Sequence, residues 1–303
     1  MKTFDIKKIL VPTDFSQTAS NALRQAIRIA KVNKSKIKLL HIITPLYSES
    51  KQSSTKSSDD NFYINKVKKA EEELKKIVNE VEKSSDINIE YIIKLEVVID
   101  EAICNMVKKE EVDLVIMGTY GTSGIKEFFV GSNVYKVVHH STCPVLTIQK
   151  KSGKWWGLKN IILPIRLEIS SRQKVDYAVN FARAFDATVF ITGFTEDKNE
   201  SKQLKIQQYV NQVENYLSKL NIKYKSTTIF AVNFTKEILA HAKKNNADLI
   251  IVMKSHPHSL DQLIKGSYSQ QFVNHSTIPI LSISTFSDPD MINNSYLIGD
   301  IPF

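Results

Sequence analysis

The stretch Lys-Lys-Ile-Leu-Val-Pro-Thr-Asp at residues 7–14 decides the fold because a related stretch, Lys-Asn-Ile-Ile-Leu-Pro-Ile-Arg, follows at residues 159–166. Each copy is a short apolar strand that reaches a proline, which marks a strand end because proline has no N–H to donate to a neighbouring strand. A second match joins His-Ser-Thr-Cys-Pro-Val-Leu-Thr-Ile at 140–148 to His-Ser-Thr-Ile-Pro-Ile-Leu-Ser-Ile at 275–283. The chain is therefore predicted to contain two copies of one structural unit.

The repeat divides a chain of 303 residues, and a single domain usually has about 150. We expect one domain at residues 1–150, a second at residues 158–285 and a C-terminal tail at 286–303. A linker at Lys150–Gly157 contains two tryptophans, which we expect to pack at the junction of the domains. The first copy is the longer one, and its Ser-, Lys- and Asp-rich stretch Ser48–Asp60 is expected to be a surface loop.

Within each copy, hydrophobic periods of strand and helix type alternate along the chain. The first copy predicts strands at Ile9–Val11, Ile37–Ile43, Ile87–Val97, Leu114–Met117 and Val145–Ile148, with helices around residues 19–30, 67–81, 101–110 and 132–140. The second copy repeats this order, with strands near residues 161, 189, 224, 250 and 281. Strands that alternate with helices form a parallel sheet between helical layers. The predicted fold is α/β, with two tandem Rossmann-like domains that each contain a five-stranded parallel sheet between helices.

The net charge of +9 arises almost entirely from lysine, because only five of the 41 basic residues are arginine. Nucleic-acid recognition favours the planar guanidinium group, so we interpret the lysines as a solvated helix surface and expect no nucleic-acid partner. The longest apolar runs have about five residues, against about 20 for a membrane span, and the N-terminus lacks the apolar region of a secretion signal. Two cysteines, Cys104 and Cys143, supply neither a disulfide framework nor a metal site. These features predict a cytoplasmic protein with no membrane partner.

The fourth strand of the first copy runs into a segment with glycines, Gly-Thr-Tyr-Gly at 118–121, and nine residues later Gly131 and Ser132 open a helix. Ligands of open α/β sheets bind at the carboxyl ends of the strands. Glycine lets the backbone approach a phosphate closely, and the unpaired N–H groups of a helix N-terminus attract anions. The spacing therefore predicts a phosphate-binding loop. The alternative is that the glycines only form turns and that Ser132 only caps its helix.

The spacing G-x2-G-x9-G-[ST] resembles the ATP-binding signature of the universal stress protein family. Val-Pro-Thr-Asp at 11–14, Leu-Leu-His-Ile at 39–42 and Ser-Thr-Cys-Pro-Val at 141–145 are similar to motifs of that family and occur in the same order. The resemblance covers nearly the whole chain as two copies. The chain is thus identified as a tandem member, and the fold that the resemblance implies is adenine nucleotide alpha hydrolase-like.

The resemblance implies an ATP site in the first copy. Asp14 would accept hydrogen bonds from the ribose hydroxyls, the backbone of Ile42 would meet the adenine edge, and the glycine-rich loop would donate to the phosphates. The implied ATP-binding residues are Pro12, Thr13, Asp14, Ile42, Met117, Gly118, Gly121, Gly131, Ser132 and Asn133. Any Mg²⁺ would be carried by the phosphates and water, because the sequence shows no carboxylate cage. No catalytic residue and no metal ligand of the protein is assigned.

The second copy lacks this set, since it has Arg166 in place of Asp14, Met253 in place of Gly118 and His256 in place of Gly121. Two of the residues remain, as Gly266 and Ser267. Arginine cannot accept a hydrogen bond from a ribose hydroxyl. We therefore predict that the C-terminal domain does not bind ATP in the manner that the resemblance implies for the first copy.

Three functions agree with these residues. In the first, ATP binds to the N-terminal domain and changes an interaction with a protein partner in a stress response, without fast catalysis. Fast catalysis is not expected because the loop lacks the Gly-Lys-[Ser/Thr] ending of a P-loop and no acidic cluster suggests a two-metal site. The second function is a slow ATPase or autophosphorylating enzyme with Ser132 or a nearby threonine as the acceptor. The third is a scaffold that binds no nucleotide and works through protein contacts alone.

The last strand of each copy, at 145–148 and at 280–283, would be an exposed sheet edge that must be covered. Domains of the family that the chain resembles pair through these strands. We therefore expect the two domains to pair within one chain, with a further homodimer as the second option.

Overall fold

A computed structural model of the protein describes residues 5–45, 56–119, 131–149, 157–254 and 268–284. The N-terminal half contains β1 (Lys8–Pro12), α1 (Gln17–Asn33), β2 (Lys36–Ile43), α2 (Lys56–Ser84), β3 (Ile89–Leu95), α3 (Ile99–Glu110), β4 (Leu114–Gly118), α4 (Ser132–His140) and β5 (Val145–Ile148). The C-terminal half contains β6 (Asn160–Ile165), a 3-10 turn (Ile169–Arg172), α5 (Val175–Phe185), β7 (Thr188–Thr195), α6 (Glu200–Lys219), β8 (Tyr224–Phe230), α7 (Phe234–Lys244), β9 (Leu249–Met253), α8 (Tyr268–His275) and β10 (Ile280–Ile283). The predicted alternation of strands and helices is confirmed in both halves.

Part of one predicted loop is helical. Residues 56–60, expected to belong to a surface loop, form the first turns of α2. Extending a helix costs little once its first turn has formed, so the polar residues ahead of the apolar pattern continue the helix. Residues 46–55 of the same expected loop lie outside the described residues, as do the two tryptophans of the linker and the tail at 286–303.

All ten strands belong to one sheet, in the order β3-β2-β1-β4-β5-β10-β9-β6-β7-β8. The pairs within each half are parallel, as predicted, whereas β5 and β10 pair antiparallel in the middle. Because the strands of one half are parallel, all their carboxyl ends lie at the same edge of the sheet. The antiparallel junction turns the second half over, so its carboxyl edge faces the opposite way.

The two strands that we expected to be sheet edges thus lie side by side. Leu146 is directly opposite Leu281, and both side chains are fully buried. The hydroxyl of Thr147 donates to the carbonyl of Ile280 at 3.3 Å across the junction. In this arrangement the outer edges of the sheet are β3 and β8.

Hydrophobic residues pack on both faces of the sheet, in two clusters that each extend through both halves. One cluster includes Ile29 of α1, Leu74 of α2 and Val213 of α6. The other includes Val137 of α4 and Phe272 of α8. Burial on both faces explains why the central strands read as continuous apolar runs in the sequence.

The repeat is visible at the level of single hydrogen bonds. A carboxylate oxygen of Asp113 accepts the N–H groups of Lys7 and Lys8, both at 2.8 Å. Asp248 does the same for Lys159 at 2.8 Å and Asn160 at 3.0 Å. Asp113 thereby connects the start of β4 to the start of β1, and Asp248 connects the start of β9 to the start of β6.

A buried lysine spans the junction of the halves. The Nζ of Lys254, which follows β9, donates to the carbonyl of Ser141 at 2.9 Å and to the hydroxyl of Ser284 at 3.0 Å. Burial lowers the pKa of Lys254 to about 8. Burial also raises the pKa of the free thiols of Cys143 and Cys104.

In the described part of the chain, no helix has the length and apolar character needed to cross a bilayer.

Candidate functional site

The turn after β1 holds an exposed carboxylate at the carboxyl edge of the N-terminal sheet. The N–H of Thr13 donates to the carbonyl of Leu40 at 2.8 Å, which continues the pairing with β2 beyond Pro12. Phe15 follows with a left-handed φ of 63°, and the N–H of Ser16 donates to Oδ1 of Asp14 at 3.0 Å. Ser16 in turn caps α1 by accepting from the N–H of Ala19 at 3.2 Å. The turn therefore fixes the direction in which Asp14 faces solvent.

The end of β4 is shaped by packing. The side chain of Met117 is buried in the hydrophobic cluster beneath α3 and α4, so only its backbone lies at the strand end. Gly118 lies against the first turn of α1, where an added Cβ would be 2.7 Å from the carbonyl carbon of Thr18. This glycine is needed for the contact between α1 and β4, a role that the sequence did not indicate.

The N-terminus of α4 is fastened to the same strand end. The N–H of Gly131 donates to the carbonyl of Thr119 at 3.1 Å, and Thr119 itself is fully buried. Gly131 has a φ of −55°, and an added Cβ would be 3.7 Å from its nearest neighbour among the described residues, Thr119 O. Ser132 is exposed and Asn133 half-buried in the first turn, where the N–H groups of Val134 and Tyr135 donate to the carbonyl of Gly131 at 3.0 and 3.3 Å. The N–H groups of Ser132 and Asn133 precede the first bonds within the helix.

On the side of β1 away from β4, Ile42 is half-buried near the end of β2. The neighbouring His41 donates from Nδ1 to the carbonyl of Thr13 at 2.8 Å, and its ring lies 4.5 Å from the ring of Phe15. These residues form one wall of a cleft of ≈ 400 Å³. The cleft is lined by Phe15, His41, Ile42, Ile43, Thr44, Lys66, Lys69, Ala70 and Glu73. It lies between the end of β2 and helix α2.

Phe15, Lys66 and Lys69 were not among the predicted site residues, and no role was predicted for His41. The sequence did carry a signal for His41, because successive side chains of a strand point to opposite faces of the sheet. His41 and Ile42 are neighbours in β2, so the side chain of His41 must lie on the face opposite to that of Ile42. The lysines of α2 carry no local signal, since a lysine on a helix is ordinarily a solvated surface residue.

Most of the predicted site residues thus share one edge of the sheet. Pro12, Thr13, Asp14, Ile42, Met117, Gly118, Gly131, Ser132 and Asn133 all lie at the carboxyl ends of β1, β2 and β4 or at the start of α4. Gly121 lies outside the described residues. Within the described ranges, no group of three or more His, Cys, Asp and Glu side chains could hold a metal ion.

The matching edge of the C-terminal half has a different chemistry. Arg166, at the position of Asp14, places its guanidinium carbon 4.4 Å from the ring centre of Tyr268 and 4.9 Å from that of Phe234. Tyr268 occupies the position of Asn133 at the start of the last helix, 135 residues later in the chain. Side chains of the protein thus contact each other at this edge, where the N-terminal half presents the exposed carboxylate of Asp14. His256, Gly266 and Ser267 lie outside the described residues.

A second buried lysine supports this edge. Nζ of Lys174 donates to the carbonyl and, at 3.3 Å, to the hydroxyl of Ser171, and the same hydroxyl accepts the N–H of Arg166 at 2.8 Å. Burial lowers the pKa of Lys174 to about 7, against a smaller opposing effect of Glu168. The contacts hold the turn between β6 and α5 in place.

Comparison with known proteins assigns this architecture to a class. The model of the universal stress protein family matches residues 5–149 and again residues 157–284. The chain belongs to the universal stress protein family and contains two of its domains in tandem.

Relatives in sequence match about half of the chain. A universal stress protein of Methanocaldococcus jannaschii, MJ0577, is 29% identical over 158 residues, which are 48% of this chain and 97% of that protein. The universal stress protein YxiE of Bacillus subtilis is 31% identical over 156 residues, covering 47% of this chain and 98% of its own length. A crystal structure of a universal stress protein from Archaeoglobus fulgidus covers 94% of this chain and 100% of its own, with a TM-score of 0.72 and 20% identity. That similarity confirms the predicted fold of both halves.

Proposed function

We propose that the protein binds one ATP per chain, in its N-terminal half, and acts as a regulatory module without fast catalysis. The observation that carries the proposal is the edge where an exposed Asp14 and the N-terminus of α4 lie at the ends of adjacent strands. Such an edge offers a carboxylate for ribose hydroxyls and the N–H groups of the first residues of α4 for phosphates. Membership of the family supports the same assignment.

Gly131 supports a ligand at this edge. Its φ of −55° suits any residue, and the nearest described atom would be 3.7 Å from an added Cβ. Neither backbone strain nor internal packing among the described residues therefore requires glycine at this position. Close approach of a phosphate to the backbone would require it.

In the proposed complex, Asp14 accepts hydrogen bonds from the ribose and the backbone of Ile42 meets the adenine edge, next to Pro12 and Thr13. Gly118 and Met117 contribute backbone only, because the glycine packs on Thr18 and the methionine side chain is buried. Gly121, Ser132 and Asn133 donate to the phosphates, while Gly131, whose N–H donates to the carbonyl of Thr119, lets the backbone approach them closely. Mg²⁺ would be held by the phosphates and water.

We propose that the C-terminal half takes no ATP. Arg166 brings a positive charge where Asp14 supplies an acceptor, and its guanidinium is stacked on Tyr268. The side chain of Arg166 is 24% exposed and forms an ion pair with Glu168 at 3.1 Å. A ribose would have to displace both contacts.

We further propose that the chain's own halves pair in solution, so that the C-terminal half serves as the permanent partner of the nucleotide-binding half. Support comes from the β5–β10 ladder, in which the facing Leu146 and Leu281 are fully buried. Binding of ATP would then change the surface that a protein partner meets.

Titration calorimetry of the full chain with MgATP tests the proposal. We expect one site per chain and at least tenfold weaker binding by Asp14→Ala, because a lost hydrogen bond to a charged acceptor costs about 1.5–3 kcal/mol. Asp86→Ala is the matched control, since Asp86 is exposed and precedes β3 at the opposite edge of the sheet. Two sites per chain, or unchanged affinity in Asp14→Ala, would contradict the proposal. Steady release of ADP at a rate above about one per minute would point to the enzyme instead.

A further inference from the structure

Arg166 lies in a cage of two aromatic rings and one carboxylate. Its guanidinium carbon is 4.4 Å from the ring centre of Tyr268 and 4.9 Å from that of Phe234, while Nη2 is 3.1 Å from Oε1 of Glu168. A planar guanidinium over an aromatic face is attracted by the negative face of the ring, and more strongly where water is excluded. The side chain of Arg166 is only 24% exposed.

The cage is held from outside. The ring of Phe234 meets the rings of Tyr268, Phe272 and Phe194 edge to face, at centre distances of 5.1, 5.5 and 4.9 Å. The hydroxyl of Tyr268 donates to Glu196 at 3.4 Å. The two aromatic walls are therefore held by contacts with each other and with Phe194, Phe272 and Glu196, in addition to their contact with Arg166.

The residues of the cage come from three separate elements. Arg166 follows β6, Phe234 begins α7 and Tyr268 begins α8. The corresponding residues of the N-terminal half are Asp14, Ile99 and Asn133, which cannot form such a cage. In the C-terminal half, one side chain therefore connects the elements that surround the site edge.

We propose that the C-terminal half contains a guanidinium-binding site that is occupied by the chain's own Arg166. The internal guanidinium holds the end of β6 against the starts of α7 and α8, so the cage is filled without any external ligand. The inference extends the proposed function, because it makes the C-terminal half a constant partner of a half that responds to ATP. The ligand class that the empty cage would accept is a planar organic cation.

Chemical rescue of the full chain tests the cage. We expect Arg166→Ala to lower the midpoint of thermal unfolding by at least about 3 °C. N-ethylguanidinium at low millimolar concentration should restore a substantial part of that loss, because it returns the planar cation to the cage. Ethylammonium and sodium chloride at equal ionic strength should restore less, and none of the three should stabilise the wild-type chain.

Arg183→Ala is the matched control, since Arg183 is exposed in the last turn of α5. It should neither lower the midpoint comparably nor respond to N-ethylguanidinium. Rescue of Arg183→Ala to the same degree would overturn the proposal, because it would show a general salt effect. Arg166→Ala with an unchanged midpoint would overturn it as well.

A second measurement does not depend on the stability of a variant. In the NMR spectrum of the wild-type chain, the Nε–H signal of Arg166 should be shifted upfield by the ring of Tyr268. Tyr268→Leu should remove most of that shift, whereas Tyr268→Phe should preserve it. A signal at the position of a solvated arginine in the wild type would overturn the proposal.

These readouts contain no nucleotide. If the N-terminal half failed to bind ATP, the rescue and the NMR shift would still be expected. The proposed function would then be rejected and the proposal of the cage would be retained. If ATP bound as proposed but N-ethylguanidinium gave no rescue, the cage alone would be rejected.

Discussion

Gly118 lies so close to Thr18 that an added Cβ would be 2.7 Å from the carbonyl carbon and 2.8 Å from the Cβ and the carbonyl oxygen of that residue. The contact lets the first turn of α1 pack on the end of β4. Gly131, from the same glycine motif, has no such neighbour, since its nearest described atom would be 3.7 Å from a Cβ. The two positions therefore hold glycine for different physical reasons, and one variant at each position tests its reason.

Gly118→Ala is expected to destabilise the fold. The atoms that the new methyl group would meet are mostly backbone atoms of Thr18, which cannot move aside as a flexible side chain can. Overpacking of this kind costs about 1–3 kcal/mol. Urea unfolding of the full chain without nucleotide measures the loss, and an unchanged midpoint would show that α1 moves away from β4 freely.

Gly131→Ala is expected to leave the fold intact and to weaken ATP binding. The φ of −55° accepts alanine, so the free energy of unfolding should change by less than about 1 kcal/mol. A methyl group between the backbone and the phosphates should weaken binding of MgATP about tenfold or more. Calorimetric titration checks the affinity, with the urea midpoint of the same variant as the control. Wild-type affinity in Gly131→Ala would argue that this glycine does not approach a phosphate.

Lys254 is expected to give the free energy of unfolding a specific dependence on pH. Its pKa is about 8 in the folded chain, where burial disfavours the charge, and has its ordinary value of 10.5 in the unfolded chain. Below pH 8 both states are protonated. Between pH 8 and about 10.5 the unfolded state binds more protons, so stability rises with pH, by up to about 1.4 kcal/mol per pH unit.

The variant Lys254→Met isolates this contribution. The buried thiols of Cys143 and Cys104 have raised pKa values and oppose the rise in both proteins. The charge of Lys254 lowers the pKa of both thiols, so its removal strengthens their opposing effect in the variant and leaves the sign of the expected difference unchanged. The difference in unfolding free energy between wild type and variant should therefore increase from pH 8 to pH 10.5 and be constant from pH 6 to 7.5. Lys174→Met is the comparison, because its pKa of about 7 should start the same rise one unit earlier. A difference that does not vary with pH would contradict the burial of Lys254.

Hydrogen exchange tests the pairing of the two halves. If β5 and β10 pair in solution, their amides around Leu146 and Leu281 should exchange only through global unfolding. They should then be as protected as the amides of β1 and β6, the central strands of each half. The outer strands β3 and β8 should exchange faster. Fast exchange in β5 and β10, at rates typical of edge strands, would show that the halves separate.

Several elements were predictable because their causes are local. The bounds of α4 agree with the prediction, since Gly131 and the Ser141–Pro144 segment punctuate the chain on either side. β5 was placed correctly between Pro144 and the end of the apolar run. In contrast, the third strand was predicted at residues 87–97, whereas β3 covers Ile89–Leu95. An apolar pattern does not mark where pairing with the neighbouring strand stops.

The site was predictable in part for the same reason. A strand that ends in Pro12 and Asp14, and a glycine before a helix, are patterns within a few residues, and the order of the strands then brings them to one edge. The reason for Gly118 was hidden, because Thr18 is 100 residues away in the chain and meets it only when α1 packs on β4.

By itself, the sequence determined that the chain consists of two α/β units, that these units are related by repetition, and that only the first keeps Asp14 with its glycines. Those properties depend on residue type and spacing, because these determine hydrophobic periodicity and turn formation within a few residues of each other. The resemblance to the family added the expectation that the last strands of the two units pair. Only the tertiary structure decided that β5 and β10 pair antiparallel with Leu146 opposite Leu281, that Lys254 bridges the units, and that Arg166 stacks on Tyr268. These contacts join residues far apart in the chain, and their geometry exists only once the helices and strands have packed.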